Sequence, residues 1–307
     1  MLAEIDATGL PLVRRGKVRD VFAAGDDRLV LVATDRLSAF DTVLGCVPGK
    51  GRVLTAVSAW WFEQLRPVVA HHLIDVPHPA VSVVHRCETL PVEVVVRGYL
   101  TGVTSTSMWT RYEKGQRVID GIRLPDGLER NSRLPRPFVT PTTKAPDGAH
   151  DEPLSVAEVA ERGLVAPSLW ADVVDIALHL FARGTALAST RGLVLVDTKY
   201  EFGVLDGRPV LIDEVHTPDS SRFWDGRVDP APDANMDKEI VRRWYAAQGY
   251  RGEGDPPPMS PELVARVADA YGEVAERLCG RPPVVADEDG EEDAVREVVR
   301  ELTGGQT

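Results

Sequence analysis

A chain of 307 residues exceeds what one small core organises, and 43% apolar residues suffice to bury one large bilobed domain or two subdomains. Its formal net charge of −12 and pI near 5.1 argue against a general nucleic-acid binder, which needs concentrated Lys and Arg against phosphates. The cysteines, Cys46, Cys87 and Cys279, stand far apart with no CxxC pair, so neither a zinc site nor a disulfide framework is suggested.

The first element expected is a hairpin over Gly16 to Ala33, GKVRDVFAAGDDRLVLVA, turning at Gly25-Asp26-Asp27. Alternation would put Lys17 and Arg19 on one side, where a basic hairpin can lie over nucleotide phosphates; a simply solvated hairpin is the competing reading. Neither GxxxxGK[ST] nor GxGxxG occurs, which removes the P-loop and Rossmann sites. Thr34 to Lys50 reads as a polar turn gathering Asp35, Arg36, Ser38 and Asp41, with Thr34 or Ser38 as a helix cap. Apolar spacing over Thr55 to Leu65 predicts a helix whose Trp60, Trp61 and Phe62 enter the core.

Val92 to Val96 reads as an apolar strand running into Arg97, and an arginine at the end of a buried strand must find an anion. Pro135 to Asp151 is too rich in Pro, Thr and Gly for a helix or a central strand, and its Lys144, His150 and Asp151 are candidates on a long functional loop. Helices are expected over Ser155 to Arg162, over Ala171 to Ser189 with Val174, Leu178, Phe181 and Leu187 on the inner face, and over Ser260 to Leu278 after Pro256-Pro257-Pro258. The acidic run Asp287 to Asp293 reads as a solvated linker or helix start.

The most informative stretch is Leu193 to Asp225, where LVLVDTKYEFG and PVLIDEVHTPDSSRFWD bracket an Asp206-Gly207 turn. Strand alternation puts Asp197, Lys199 and Glu201 on one face, and the hairpin can bring Asp213 opposite them. Carboxylates beside one lysine are what holds magnesium on a polyphosphate. The continuation from His216 to Arg222 adds hydroxyls ending in an arginine, a natural anion clamp. An ordinary half-buried hairpin with its polar face in water is the bland alternative.

Taken together, GKVRDVF, ATDRLSAFD, VEVVVRGYLTG, TPTTKA with the following HD, LVLVDTKYEFG and IDEVHTPDSSRFWD resemble, in order, the motifs of the phosphoribosylaminoimidazole-succinocarboxamide synthase family, the SAICAR synthetases of purine biosynthesis. The resemblance covers roughly residues 14 to 280. It implies an α+β, bilobed fold with antiparallel sheets, flanking helices and a nucleotide cleft akin to kinases and ATP-grasp enzymes. The lobes would be residues 1–90, covering the nucleotide, and 91–280, with 281–307 as an acidic tail containing a short helix. It also implies ATP-dependent joining of L-aspartate to the carboxylate of 5-amino-1-(5-phosphoribosyl)imidazole-4-carboxylate, giving ADP, phosphate and the succinocarboxamide nucleotide.

Carried onto this chain, the resemblance puts Lys17 and Arg19 at the ATP phosphates and the Val84 to Cys87 peptide, with His85 and Cys87, at the adenine. Glu201 and Asp213 would hold magnesium, with Asp197 close enough to join them. Asp197, Lys199, Arg97 and Arg222 would face the imidazole nucleotide, with Ser38, Asp41 and Asp151 nearby. Family members commonly carry a serine after RGY-x-x-Gly; here Val103 stands there, so Thr104 or Ser105 is the expected replacement at the ribose phosphate. A related ligase activating another carboxylate, and a nucleotide-binding regulator without catalysis, are the other readings. No apolar run approaches the roughly 20 residues that span a bilayer, and Met1 to Gly9 lacks signal-peptide character, so a cytoplasmic protein without membrane or nucleic-acid partners is expected.

Overall fold

The computed structural model describes residues 1–6, 9–104, 106–144, 151–228, 234–280 and 290–304. It divides into a first unit of Met1–Gln64, His72–Cys87 and Ile240–Thr307 and a second of Leu65–His71 and Glu88–Glu239.

The first unit begins with β1 (Leu12–Arg15), β2 (Arg19–Ala23), β3 (Arg28–Ala33), β4 (Arg36–Ala39), β5 (Thr42–Cys46), α1 (Lys50–Leu65), β6 (Leu73–His78) and β7 (Val81–His85). Five strands form an antiparallel sheet of order β1-β2-β3-β7-β6, with β2 and β3 joined by the expected Gly25-Asp26-Asp27 turn. Lys17 precedes β2, in a tight turn closed by Gly16 N–H donating to Arg19 O at 2.7 Å, so strand alternation does not reach it. No helix follows Thr34 or Ser38. Phe40 and Asp41 take left-handed backbone, φ 53° and 61°, and this two-residue turn folds β4 onto β5 as a hairpin. Thr34 Oγ–H instead donates to Val18 O at 2.6 Å. Helix α1 starts at Lys50, with Trp61 and Phe62 buried and Trp60 half-buried.

The second unit contains β8 (Glu88–Tyr99), α2 (Met108–Glu113), β9 (Val118–Ile119), β10 (Ile122–Arg123), β11 (Arg133–Thr143), α3 (Val156–Glu161), α4 (Pro167–Ser189), β12 (Leu193–Leu205), β13 (Arg208–Ile212) and β14 (Ser221–Asp225). The sheet order is β11-β8-β12-β13, and the 13-residue β12 is long enough to pair β13 along its second half and β14 along its first. Asp206 and Gly207, at φ 52° and 72°, close the β12–β13 hairpin as their residue types demand.

Two expectations fail here for physical reasons. The loop reading of Pro135 to Asp151 fails as far as Thr143, up to which the chain is a strand, while the exclusion of a central strand holds: β11 is the sheet edge, where proline's missing N–H costs no ladder bond if it faces outward. The buried side of α4 runs through Trp170, Val173, Ala177, Leu180, Phe181, Gly184 and Ala188, not through Val174, Leu178 and Leu187. Small residues on that stripe let the helix approach the sheet closely, which outweighs the greater hydrophobicity of the leucines one position away.

The chain closes with α5 (Glu239–Ala247), α6 (Pro261–Cys279) and α7 (Glu291–Gly304). Residues from Ile240 onward belong to the first unit, and α7 packs into its core. Val295 and Val299 are fully buried among Leu2, Ile5, Phe22 and Val30, each such side chain worth about 1.5–3 kcal/mol of burial. Glu291, from the acidic run, accepts from Arg52 Nε at 2.8 Å. Among the described residues no helix is long and apolar enough to cross a membrane.

Candidate active site

On β8, Val92, Val94 and Val96 turn into the core, so Glu93, Val95 and Arg97 share the opposite face. The ladder sets Arg97 beside Asp197, Val95 beside Lys199 and Glu93 beside Glu201, and β14 brings Arg222 to the other side of Asp197. The sequence therefore writes one polar face across three strands of the second unit. It has two chemically different ends.

At one end Asp197, 5% exposed, is shared by two guanidinium groups: Arg222 Nη1 donates to Oδ2, and Arg97 Nη1 lies 3.6 Å from the same oxygen. Arg97 Nε donates to Thr140 Oγ1 at 2.8 Å and Arg222 Nε stands 3.5 Å from Glu239 Oε2. Nη2 of each arginine has no partner among the described residues. Burial draws the Arg97 guanidinium below its usual range against the pull of Asp197, whereas for Arg222 burial is outweighed by Asp197 and Glu239 and the shift is upward. Beneath them burial pushes the Asp237 carboxyl up to about 7, helped by Glu239, although it accepts the Phe223 and Glu239 N–H groups.

At the other end Lys199 Nζ donates to Glu93 Oε1 at 2.5 Å and to Glu201 Oε1 at 3.1 Å, while Lys144 holds the second oxygen of Glu201. Burial opposes the charge on Glu201, but Lys199 and Lys144 overcome it and hold the carboxyl down at about 2. Burial likewise opposes the Lys199 ammonium, and Glu201, Glu93 and Asp213 more than offset it. Glu93, which Thr142 also bonds at 3.4 Å, is raised by burial against the pull of Lys199. Lys199 is thus a fixed positive charge and not a base.

Strand pairing stops at Ile212, and a left-handed residue, φ 65°, carries Asp213 out of the sheet to where its charge acts on Lys199. The hydroxyls before Arg222 are spent internally. Thr217 Oγ1 donates to Glu214 and accepts from the Asp219 and Ser220 N–H groups, and Ser221 Oγ donates to Thr198 at 2.7 Å. The expected clamp reduces to Arg222 itself. Its Nη2 lies beside Gly102, whose φ of 111° suits glycine; a Cβ there would stand 3.3 Å from Nη2 and 2.5 Å from Ser107 Cβ. Thr104 is half-buried, with Oγ1 3.5 Å from Thr106 Oγ1. Exposed Asp151 bears electrostatically on Glu93. Ser105 and His150 lie outside the described residues.

In the first unit the nucleotide-facing expectations meet a different picture. Lys17 Nζ donates to Asp41 at 2.6 Å, so a residue assigned to ATP and one assigned to the other substrate form one exposed ion pair. Buried Arg36 braces the turn beneath from within, donating to Gly16 O and Asp20 at 2.8 and 2.7 Å. Arg19 is half-buried on β2, and Ser38 is buried on β4. His85 ends β7, and Cys87 Sγ lies 3.5 Å from His85 O, with burial pushing its thiol up.

Among the described residues no group of three or more His, Cys, Asp or Glu is spaced to hold a metal. Arg97 and Arg222 share a single oxygen of Asp197, Oδ2, whereas Lys199 and Lys144 take one oxygen each of Glu201, so a metal at Glu201 would displace an ammonium. Glu201, Asp213 and Asp197 are all hard oxygen donors, and magnesium takes one or two carboxylates and completes its shell with phosphate and water, so the donor set fits. Glu93, Thr140, Asp237 and Glu239 were missed as members of this face. Glu93 carried a signal, a lone carboxylate alternating with valines; nothing in sequence links Glu239 to Arg222.

The SAICAR synthetase family model matches residues 12–257. A phosphoribosylaminoimidazole-succinocarboxamide synthase from Legionella pneumophila is 45% identical over 283 residues, spanning 89% of this chain and 90% of its own. A SAICAR synthase from Saccharomyces cerevisiae, solved in complex with SAICAR, superposes with a TM-score of 0.80 at 34% identity over 92% of this chain and 99% of that chain. A type-2 SAICAR synthetase solved with ADP gives 0.69 at 27% identity over 88% and 98%. Sequence and fold agree over the whole span that carries the polar face, and the chain belongs to the SAICAR synthetase family.

Proposed function

We propose that this chain joins L-aspartate to the carboxylate of 5-amino-1-(5-phosphoribosyl)imidazole-4-carboxylate, consuming ATP and releasing ADP, phosphate and the succinocarboxamide nucleotide, as a cytoplasmic enzyme of purine biosynthesis. The carrying observation is the polar face of the second unit, where an arginine pair fit for an anionic substrate adjoins a carboxylate–lysine cluster fit for a metal–polyphosphate. A relative solved with SAICAR and another solved with ADP support both halves.

A carboxylate resists attack by an amine because further negative charge would build on it, so its oxygen must first become a phosphate leaving group. Phosphoryl transfer is governed by positioning and charge neutralisation, which is what this face offers. Glu201 and Asp213 would hold magnesium, which supplies charge neutralisation at the transferring phosphoryl. Lys199, locked as an ammonium between Glu93 and Glu201, adds a fixed positive charge. Arg97 and Arg222 present their Nη2 groups to the nucleotide's anionic groups, and Asp197 fixes the planes of both. Thr104 would supply the hydroxyl missing at Val103. In the first unit Lys17 and Arg19 take the ATP phosphates, Lys17 giving up Asp41 to do so, and His85 and Cys87 flank the adenine; Ser38, Asp41 and Asp151 take the remaining substrate groups.

The test is an ADP-release assay with each substrate omitted in turn. ADP should appear only when the imidazole nucleotide is present, with the succinocarboxamide formed when aspartate is added. Val103 favours a second reading, a ligase for a carboxylate without the ribose phosphate; equal use of nucleoside and nucleotide would select it.

A further inference from the structure

Gly184 is an unusual residue for the interior of the 23-residue α4, since glycine disfavours a helix interior relative to alanine. His216 supplies the reason. A Cβ at position 184 would collide with His216 Cε1 and stand 2.8 Å from its Nδ1. The imidazole is fully buried and its Nε2 meets the hydroxyl of Tyr200, itself fully buried. Burial holds His216 down at about 3 and Tyr200 well above its usual range. Both are therefore neutral at pH 7, and one buried hydrogen bond joins the hydroxyl to Nε2.

Tyr200 stands on β12 between Lys199 and Glu201, on the face opposite theirs. The segment that His216 anchors begins at Asp213. Asp213 and His216 both take left-handed backbone, φ 65° and 48°, a strained conformation that persists only where the surroundings enforce it. His216 is where they do so, because its side chain is locked between a helix made thin by glycine and a strand hydroxyl. An ordinary core histidine would need neither the missing Cβ nor the strained backbone.

We infer that His216 is a positioning residue, whose seat between Gly184 and Tyr200 fixes the Asp213–His216 turn and so aims Asp213 at the metal–nucleotide. This rests on the proposed metal role of Asp213. The experiment is calorimetry of ADP binding, in magnesium and in chelator, on His216→Ala, on the Gly184→Ala/His216→Ala double variant, on Tyr200→Phe and on Asp213→Asn as reference. His216→Ala should weaken binding of the magnesium–ADP complex about 10-fold and leave metal-free ADP within about 2-fold. In the double variant the methyl introduced on α4 fills part of the vacated space, so the thermal midpoint should recover while the magnesium-dependent loss stays. A merely structural histidine would move midpoint and both affinities together. Tyr200→Phe, which keeps volume and deletes the bond, should show a smaller loss of the same kind and decides the matter if His216→Ala does not fold. Native magnesium–ADP affinity in the His216 and Tyr200 variants, with Asp213→Asn weakened, would overturn the inference by itself. Native affinity in Asp213→Asn would overturn the metal role and the inference with it.

Discussion

Replacing Asp197 by Asn tests the arginine pair most sharply, because it removes one charge and leaves the shape. Asp197 lies 3.6 Å from Arg97 and closer to Arg222. At an effective dielectric constant of about 20, one such contact carries about 4.6 kcal/mol of attraction. Desolvation of one buried and two half-buried charges cancels much of this in the native protein, but the arginines stay largely out of water when their shared partner is neutralised, and such losses run at up to about 3–5 kcal/mol. The variant should unfold roughly 10 °C below the native protein at low salt. Millimolar inorganic phosphate should restore part of the loss, and more of it than it adds to the native protein, because an anion then replaces the missing carboxylate; at 100-fold over its dissociation constant it contributes about 2.7 kcal/mol. Thermal unfolding with and without phosphate reads both quantities. A variant as stable as the native protein, or equal phosphate effects on both, would refute the shared-anion account.

Asp213→Ala should cut turnover by roughly 100-fold or more while the fold survives, because a ligand to the transferring phosphoryl's metal is lost; near-native turnover at ordinary magnesium concentrations would contradict it. Arg222→Lys loses the planar fork and should raise the Michaelis constant for the imidazole nucleotide far more than that for ATP, so equal rises would misplace Arg222. Lys17→Ala should weaken ATP in calorimetry and spare the imidazole nucleotide; unaltered ATP affinity would return Lys17 to its ion pair with Asp41. Asp237 is raised from 3.8 to about 7 on folding, so the stability it contributes is complete below pH about 4 and is lost as pH climbs to 7. Denaturant unfolding across that window should show a steeper decline for the native protein than for Asp237→Asn, and parallel curves would deny the shift.

The polar face was legible because strand alternation and the Asp206-Gly207 turn are local rules: Asp197, Lys199 and Glu201 share a face wherever the strand goes. What escaped depended on context. The prolines of β11 are tolerated because that strand is an edge, a property of the sheet and not of the segment. The inward stripe of α4 contains Gly184 because His216, distant in sequence, occupies the space. The acidic helix α7 joins the N-terminal core through Val295 and Val299, whose spacing was overshadowed by surrounding charge. Glu239 reaches Arg222 and Lys17 reaches Asp41 through chain paths that no motif encodes.

The account's central claim is that ATP activates the carboxylate of the imidazole nucleotide before aspartate attacks. The most direct measurement starts from nucleotide labelled with oxygen-18 in that carboxylate, runs the reaction with ATP and aspartate, and weighs the phosphate released. One labelled oxygen should move from carboxylate to phosphate as the acyl phosphate forms and is displaced, leaving the other in the amide; unlabelled phosphate, with the departing heavy oxygen released as water, would contradict it.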